Sequence, residues 1–135
     1  MKKPRRIRFD FYIEEMSAAA ERILLYAGEL SYFEFSTNSL VRDAVIRNFE
    51  ILGESVKHVP FFFQKQNKHI PWSRMYALRN FIVHEYFDVD DEILFAIIQT
   101  DLRSNAVDLR KLAQRLSENP SVMQPPPRPG KSNTV

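Results

Sequence analysis

Within nine residues, Leu78-Arg79-Asn80-Phe81-Ile82-Val83-His84-Glu85-Tyr86 brings together a guanidinium, an amide, an imidazole, a carboxylate and a phenol. These groups bind phosphate and move protons, and here they sit among apolar residues that suit a helix pressed into a core. At about 100° per helical residue, Asn80 and His84 are one turn apart and share a face, while Arg79 and Tyr86 are about two turns apart and share the adjacent one. Arg79 and His84 are roughly 140° apart on the same helix, so they are not stacked and meet at a ligand through the long arginine stem, or where the helix loosens near His84. Periodicity leaves a second reading open. The imidazole can be a core or surface group, and Arg79 can simply pair with a nearby carboxylate.

The elements that would carry this stretch are read from the patterns on either side. Asp10 is placed to cap a first helix through about Ala27, with Ile13, Met16, Ala20, Ile23 and Ala27 at spacings of three and four. Glu14, Glu15, Glu21 and Arg22 fall largely off that stripe, and Gly28 is a plausible stop. Ser31 to Ser36, with Tyr32, Phe33 and Phe35, is expected to form a short helical turn that plugs one end of a bundle. A second long helix is expected from Asn38 or Ser39 to Val59, ended by Pro60. Its broad apolar surface comprises Leu40, Ala44, Val45, Phe49, Ile51, Leu52 and Val56. Gly53 inside it costs roughly 1 kcal/mol relative to alanine, a cost that fits a position where another helix crosses closely. Arg47, Glu50 and Glu54 form a polar stripe beside the apolar one. They read either as an exposed ladder of ion pairs, each worth tenths of a kcal/mol, or as groups that orient the Arg79–His84 site.

Phe61-Phe62-Phe63 is expected to pack back as a turn of helix. Ile70-Pro71-Trp72 opens a third long helix, since proline suits an early position that needs no donor, and Trp72, Met75, Leu78 and Ile82 form its buried stripe. The motif occupies the C-terminal half of that helix. Asp88 or Asp90 caps a fourth, running to about Leu116 through Ile93, Ile97, Leu102, Val107 and Leu109, with a bend near Thr100-Asp101. Three segments result: a basic arm over 1–8, a helical domain over 9–117, and a proline-rich disordered tail over 118–135.

The motif Arg79-x4-His84-x-Tyr86, with Asn80 directly after the arginine, resembles the signature of HEPN-domain ribonucleases. It is most similar to the HepT-like toxins of HepT–MntA toxin–antitoxin pairs. The likeness extends to the block from Asp43 to Glu54, to Ile70-Pro71-Trp72 and to the helix after Asp90, covering roughly residues 8–116. The resemblance implies an all-α, antiparallel bundle of four main helices plus short ones, working as a homodimer with the motif at the dimer cleft. It implies a metal-independent endoribonuclease in which Arg79 holds the scissile phosphate. His84 serves as general base or acid, and Asn80 binds phosphate or fixes the imidazole tautomer. It favours a supporting role for Glu50 or Glu54, beside Arg47. It further implies that Tyr86 accepts AMP from a partner MntA-like nucleotidyltransferase, which would silence the enzyme. The other reading of the same helices is a non-catalytic module that engages nucleotides or a nucleotidyltransferase.

Composition bounds these readings. A length of 135 residues fits one domain with a real core. The absence of cysteine excludes disulfides and thiolate metal sites and suits a reducing cytoplasm. No apolar run approaches 18 residues, so neither a membrane span nor a secretory signal is expected. The net charge of +2 is unevenly placed: five of the basic residues lie in the first eight, and two more beyond Pro127, leaving a body of −5. A basic arm on an acidic body can attract phosphate or an acidic partner, or act only as a solubilising tail. There is no glycine-rich phosphate loop, no G-x-S-x-G and no H-E-x-x-H. His58, His69 and His84 lack the spacing of a helical metal pair, and Asp88, Asp90, Asp91 and Glu92 lack the glycine and distal glutamate of a calcium loop. Neither a structural metal nor a redox cofactor is expected.

Overall fold

A computed structural model describes residues 8–84 and 89–127, with the side chains of Val83 and His84 outside that description. Among the described residues the chain is all-helical. Its elements are α1 (Asp10–Ala27), α2 (Tyr32–Ser36), α3 (Ser39–Val56), α4 (Phe61–Gln66), α5 (Trp72–His84), α6 (Asp91–Gln99) and α7 (Asp101–Glu118), then a 3-10 turn over Pro120–Met123. The long helices lie side by side in the order α5, α3, α1, α7. Their apolar stripes meet in one core that includes Ile13, Met16, Ile23, Phe49, Leu52, Ile82, Leu109 and Leu116. Each such side chain, fully buried, contributes about 1.5–3 kcal/mol by leaving water. None of the described helices is long and apolar enough to cross a membrane.

The helix termini obey local chemistry, with several departures from the sequence reading. Asp10 does not cap α1. Phe9 holds the cap position without a side-chain bond, and Asp10 is the first helical residue, paired with Arg8 at 2.8 Å. Gly28 does end α1, but in a right-handed conformation (φ −61°), and its carbonyl accepts from Gln99 Nε2 and Arg103 Nη2 of the α6–α7 junction. Ser31 and Glu34 form a reciprocal capping box on α2. Only Phe35 of that turn plugs the core, against Phe95; Phe33 is exposed. Asn38 caps α3 through Val41 N–H at 3.1 Å. The helix stops at Val56 rather than Val59, because the backbone tightens to i→i+3 bonds through Lys57, His58 and Val59. Val59 precedes a proline and so is disfavoured in helix.

Thr100 does more than bend the last long helix. Its backbone (φ −115°, ψ −83°) separates α6 from α7, and its hydroxyl donates back to Ala96 O at 2.7 Å. Asp90 caps α6 through the N–H groups of Glu92 and Ile93. Leu40, Ile93 and Val107, expected in the apolar stripes, are more than half exposed. Helical phase put them near the core, but among the described residues no neighbouring element covers their positions. Beyond residue 117, α7 runs to Glu118 and a 3-10 turn follows over Pro120–Met123. Met123 is fully buried, and its sulfur accepts from Phe9 N–H, so the 3-10 turn closes the bundle over the start of α1. The basic arm before Arg8 and the tail beyond Pro127 lie outside the described residues.

Candidate functional site

The motif helix is fixed at both its start and its middle. Trp72 is buried at the first position of α5, and its indole N–H donates to Asn67 O at 3.0 Å. Asn67 is itself buried. Its amide donates to Phe63 O, and its side-chain oxygen accepts from Arg115 of α7. Met75 and Ile82 complete the buried stripe, with Leu78 half-buried. α5 therefore cannot roll without opening the core, and the faces it turns outward are determined.

Arg79 leaves that helix against α3 where Gly53 stands. A Cβ on Gly53 would lie 2.6 Å from Met75 O and 3.1 Å from Arg79 Cγ, and nearer still to Arg79 Cβ. Gly53 is thus the crossing point that its sequence position implied, and the side chain lying over it is that of Arg79 itself. Beyond the crossing, Arg79 Nη2 pairs with Glu54 Oε2 at 2.9 Å, and Arg79 Nη1 donates to Asn80 Oδ1 at 2.9 Å. A guanidinium has five donors in a rigid fork. Two nitrogens are engaged in orienting the plane, and among the described residues N–H groups remain for an anion. Asn80 accepts through its oxygen, and its NH₂ has no hydrogen-bond partner among the described residues, so it can donate to a phosphate or to an imidazole nitrogen.

Glu54 also accepts from Lys57 Nζ at 3.2 Å. The Lys57 hydrogen bond and the nearby positive charges, Arg79 among them, hold its carboxyl below the ordinary carboxylate value. It is therefore ionised at neutral pH and stays a fixed anchor for Arg79. The other two candidates on that stripe, Arg47 and Glu50, pair with each other at 3.5 Å and do not reach Arg79. They line the same groove, of about 320 Å³, whose far wall is Phe11, Tyr12 and Glu15 of α1. That wall was not singled out from sequence. The only signal for it is that Tyr12 and Glu15 lie one turn apart off the apolar stripe. Tyr12 is held in place by stacking on His58, with ring centroids 4.2 Å apart.

His84 is the last residue of α5, four residues beyond Asn80 and so about 6 Å further along the axis. Its side chain and residues 85–88, with Tyr86, lie outside the described residues. Arg42 of α3 is ion-paired with Asp91 and donates to Val89 O, tying the segment after the motif back to the bundle. Arg42 carried no sequence signal of this role.

The family model described as ribonuclease HepT-like matches residues 16–116. Among curated proteins, the chain is 33% identical over 101 residues to a protein of Thermococcus cleftensis named probable ribonuclease HepT, covering 75% of this chain and 92% of that one. It is 31% identical over 91 residues to a candidate RNase of Methanocaldococcus jannaschii, covering 67% of this chain and 84% of that protein. A further protein of that organism, named as a gamma-glutamylcyclotransferase and candidate RNase, is 29% identical over 108 residues, which is 80% of this chain. The chain spans about half of that relative's length, 49%. No solved structure matches the chain.

Proposed function

The chain belongs to the HepT-like ribonuclease family, and from that premise we propose that it is a toxin-type endoribonuclease that cuts RNA at a cleft between two copies. The observation that supports this reading best is the posture of Arg79. A functionless arginine would be expected to lie flat in a surface ion pair. This one crosses a glycine, is levelled by Glu54 and Asn80, and among the described residues keeps donors free about a turn and a half before the imidazole-bearing helix end.

In the proposed reaction His84 takes the proton of a ribose 2′-OH, and the 2′ oxygen attacks the adjacent phosphorus. The bond to the 5′ oxygen breaks as the 2′,3′-cyclic phosphate forms, and the proton passes to the leaving 5′ oxygen, so none is consumed. A positioned imidazole contributes typically 10²–10⁴-fold to such a step. Arg79 and the Asn80 NH₂ stabilise the charge added to the phosphoryl oxygens. Because the attacking hydroxyl belongs to the substrate, proton transfer and a charge clamp suffice, and no metal is needed. Two antiparallel four-helix protomers would bring two copies of Arg79, Asn80 and His84 to one cleft. Tyr86, two residues past His84, would take AMP from ATP held by an MntA-like nucleotidyltransferase: its oxygen bonds the α-phosphorus, pyrophosphate leaves, the phenolic proton is released, and the added phosphate would repel the RNA backbone.

The test is RNA cleavage by the purified protein in excess EDTA, with product ends identified by mass spectrometry. The expected result is cyclic-phosphate ends from wild type, none from His84→Ala, and a melting temperature for that variant close to wild type. Cleavage that stops with EDTA and returns with magnesium would overturn the mechanism. RNA that is bound but never cut would leave the non-catalytic binding module as the better reading.

A further inference from the structure

The groove beside Arg79 is poorly charged for drawing in a polyanion. Among the described residues it holds Arg47 and Arg79 against Glu15, Glu50 and Glu54, an excess of acid. The attraction for a phosphate backbone has to come from elsewhere on the molecule. Between Ser55 and His84 the chain contains no aspartate or glutamate, yet it carries Lys57, Lys65, Lys68, Arg74, Arg79 and all three histidines. The fold gathers this segment into one region, α4 and α5 with the turn between them.

Lys65, Lys68 and Arg74 are exposed there. Among the described residues no carboxylate lies within ion-pair distance of any of the three. Arg8, Arg42, Arg47, Arg103 and Arg110, by contrast, each face one. Two shallow clefts cross the region and share Phe61, Gln64, Trp72 and Ser73, so they form a continuous surface. Phe61 stands on it with 79% of its area exposed. At the far end the surface reaches Lys57 and Tyr76, the latter one turn before Arg79 on α5.

We propose that α4 and the first half of α5 form a platform for single-stranded RNA. Phosphates lie on Lys65, Lys68 and Arg74, a base stacks on Phe61, and the strand passes Tyr76 to reach Arg79. The proposal rests on the ribonuclease reading for its substrate. An open ring among unpaired cations is the pattern that binds unpaired bases. A duplex offers no free base face to Phe61, and an acidic protein would need the cations but not the ring. The surface also resolves the charge problem at the motif, because affinity is supplied beside the site and the scissile phosphate is then carried into a groove that would not attract it unaided.

The experiment measures binding of a fluorescein-labelled 2′-O-methyl RNA of about 20 nucleotides, which cannot be cut by 2′-OH attack, across a salt series. For single strands the logarithm of affinity falls by about 0.7 per phosphate contact for each decade of salt. The Lys65→Gln, Lys68→Gln, Arg74→Gln triple variant is expected to lower that slope by about 2. Phe61→Ala is expected to weaken binding about tenfold with the slope unchanged, as loss of stacking requires. A Lys65→Arg, Lys68→Arg variant should keep the wild-type slope. All four positions are exposed, so equal melting curves are the folding control. If the triple variant binds like wild type while Arg79→Ala does not, the platform is overturned and the ribonuclease reading stands. If the triple variant keeps RNA affinity but changes sedimentation from dimer to monomer, the face joins copies of the chain and the proposal is wrong. Wild type that binds no RNA at any salt overturns both readings together.

Discussion

Gly53→Ala sets two physical effects against each other, and the crossing geometry decides between them. Helix propensity alone makes alanine better than glycine in the middle of α3 by about 1 kcal/mol. The new methyl group, however, would meet Met75 O at 2.6 Å and Arg79 Cγ at 3.1 Å, with Arg79 Cβ closer. Favourable contact between carbons begins at about 3.5 Å, so α3 and α5 would have to separate locally by roughly 1 Å. Overpacking of this kind costs about 1–3 kcal/mol, leaving a net loss of about 0–2 kcal/mol after the propensity gain. The effect on activity should be larger. The atoms displaced belong to Arg79 and to the α5 backbone that carries Asn80, and a shift of about 1 Å at a positioning group can cost on the order of 10²-fold in rate. The expected signature is a modest drop in melting temperature with RNA cleavage down by about two orders of magnitude. A variant that melts about 1 kcal/mol more stably and cuts at the wild-type rate would show that the close crossing neither exists in solution nor aims Arg79.

Four further outcomes are expected, two from the Glu54–Arg79 pair and two from the proposed function. Glu54→Gln keeps the size of the side chain but removes the charge that levels Arg79, and cleavage should fall about tenfold, the scale of one hydrogen bond to a charged group. The Glu54 carboxyl is depressed in the folded protein, so its contribution to stability is present above the ordinary value of 4.5 and lost as pH falls through the lower folded value. Acid unfolding monitored by circular dichroism below pH 4.5 should therefore be shallower in Glu54→Gln, and an identical acid limb would contradict the pairing. Tyr86→Phe should still cut RNA but resist silencing by the nucleotidyltransferase with ATP; full silencing, or AMP mapped elsewhere by mass spectrometry, would remove Tyr86 from control. Sedimentation at micromolar concentration should show a dimer, and a monomer with cleavage intact would dismiss the shared cleft.

Much of this was legible in the residues themselves, because helical phase and capping are local. The one-turn spacing of Asn80 and His84, a helix start near Asn38, Asp90 as one of two caps offered for the next helix, a stop before Pro60, an interruption near Thr100 and the cost of a glycine at 53 all depend on near neighbours in the chain. Gly53 declared that something must come close, but not what. Glu50 and Glu54 are one turn apart on a single stripe, and no periodicity distinguishes them. Only the register at which α5 crosses α3 gives Arg79 to Glu54 and leaves Glu50 to Arg47. The same limit explains the exposure of Leu40, Ile93 and Val107, and the burial of Met123 from a stretch whose prolines read as irregular. Phase fixes an angle around one helix axis, whereas burial depends on which other element occupies that direction. The acid-free stretch from Ser55 to His84 is visible in the letters, but only the fold turns its cations and Phe61 onto one surface. Side chains far apart in sequence are placed by the packing of the whole core, a sum over contacts that no local pattern contains.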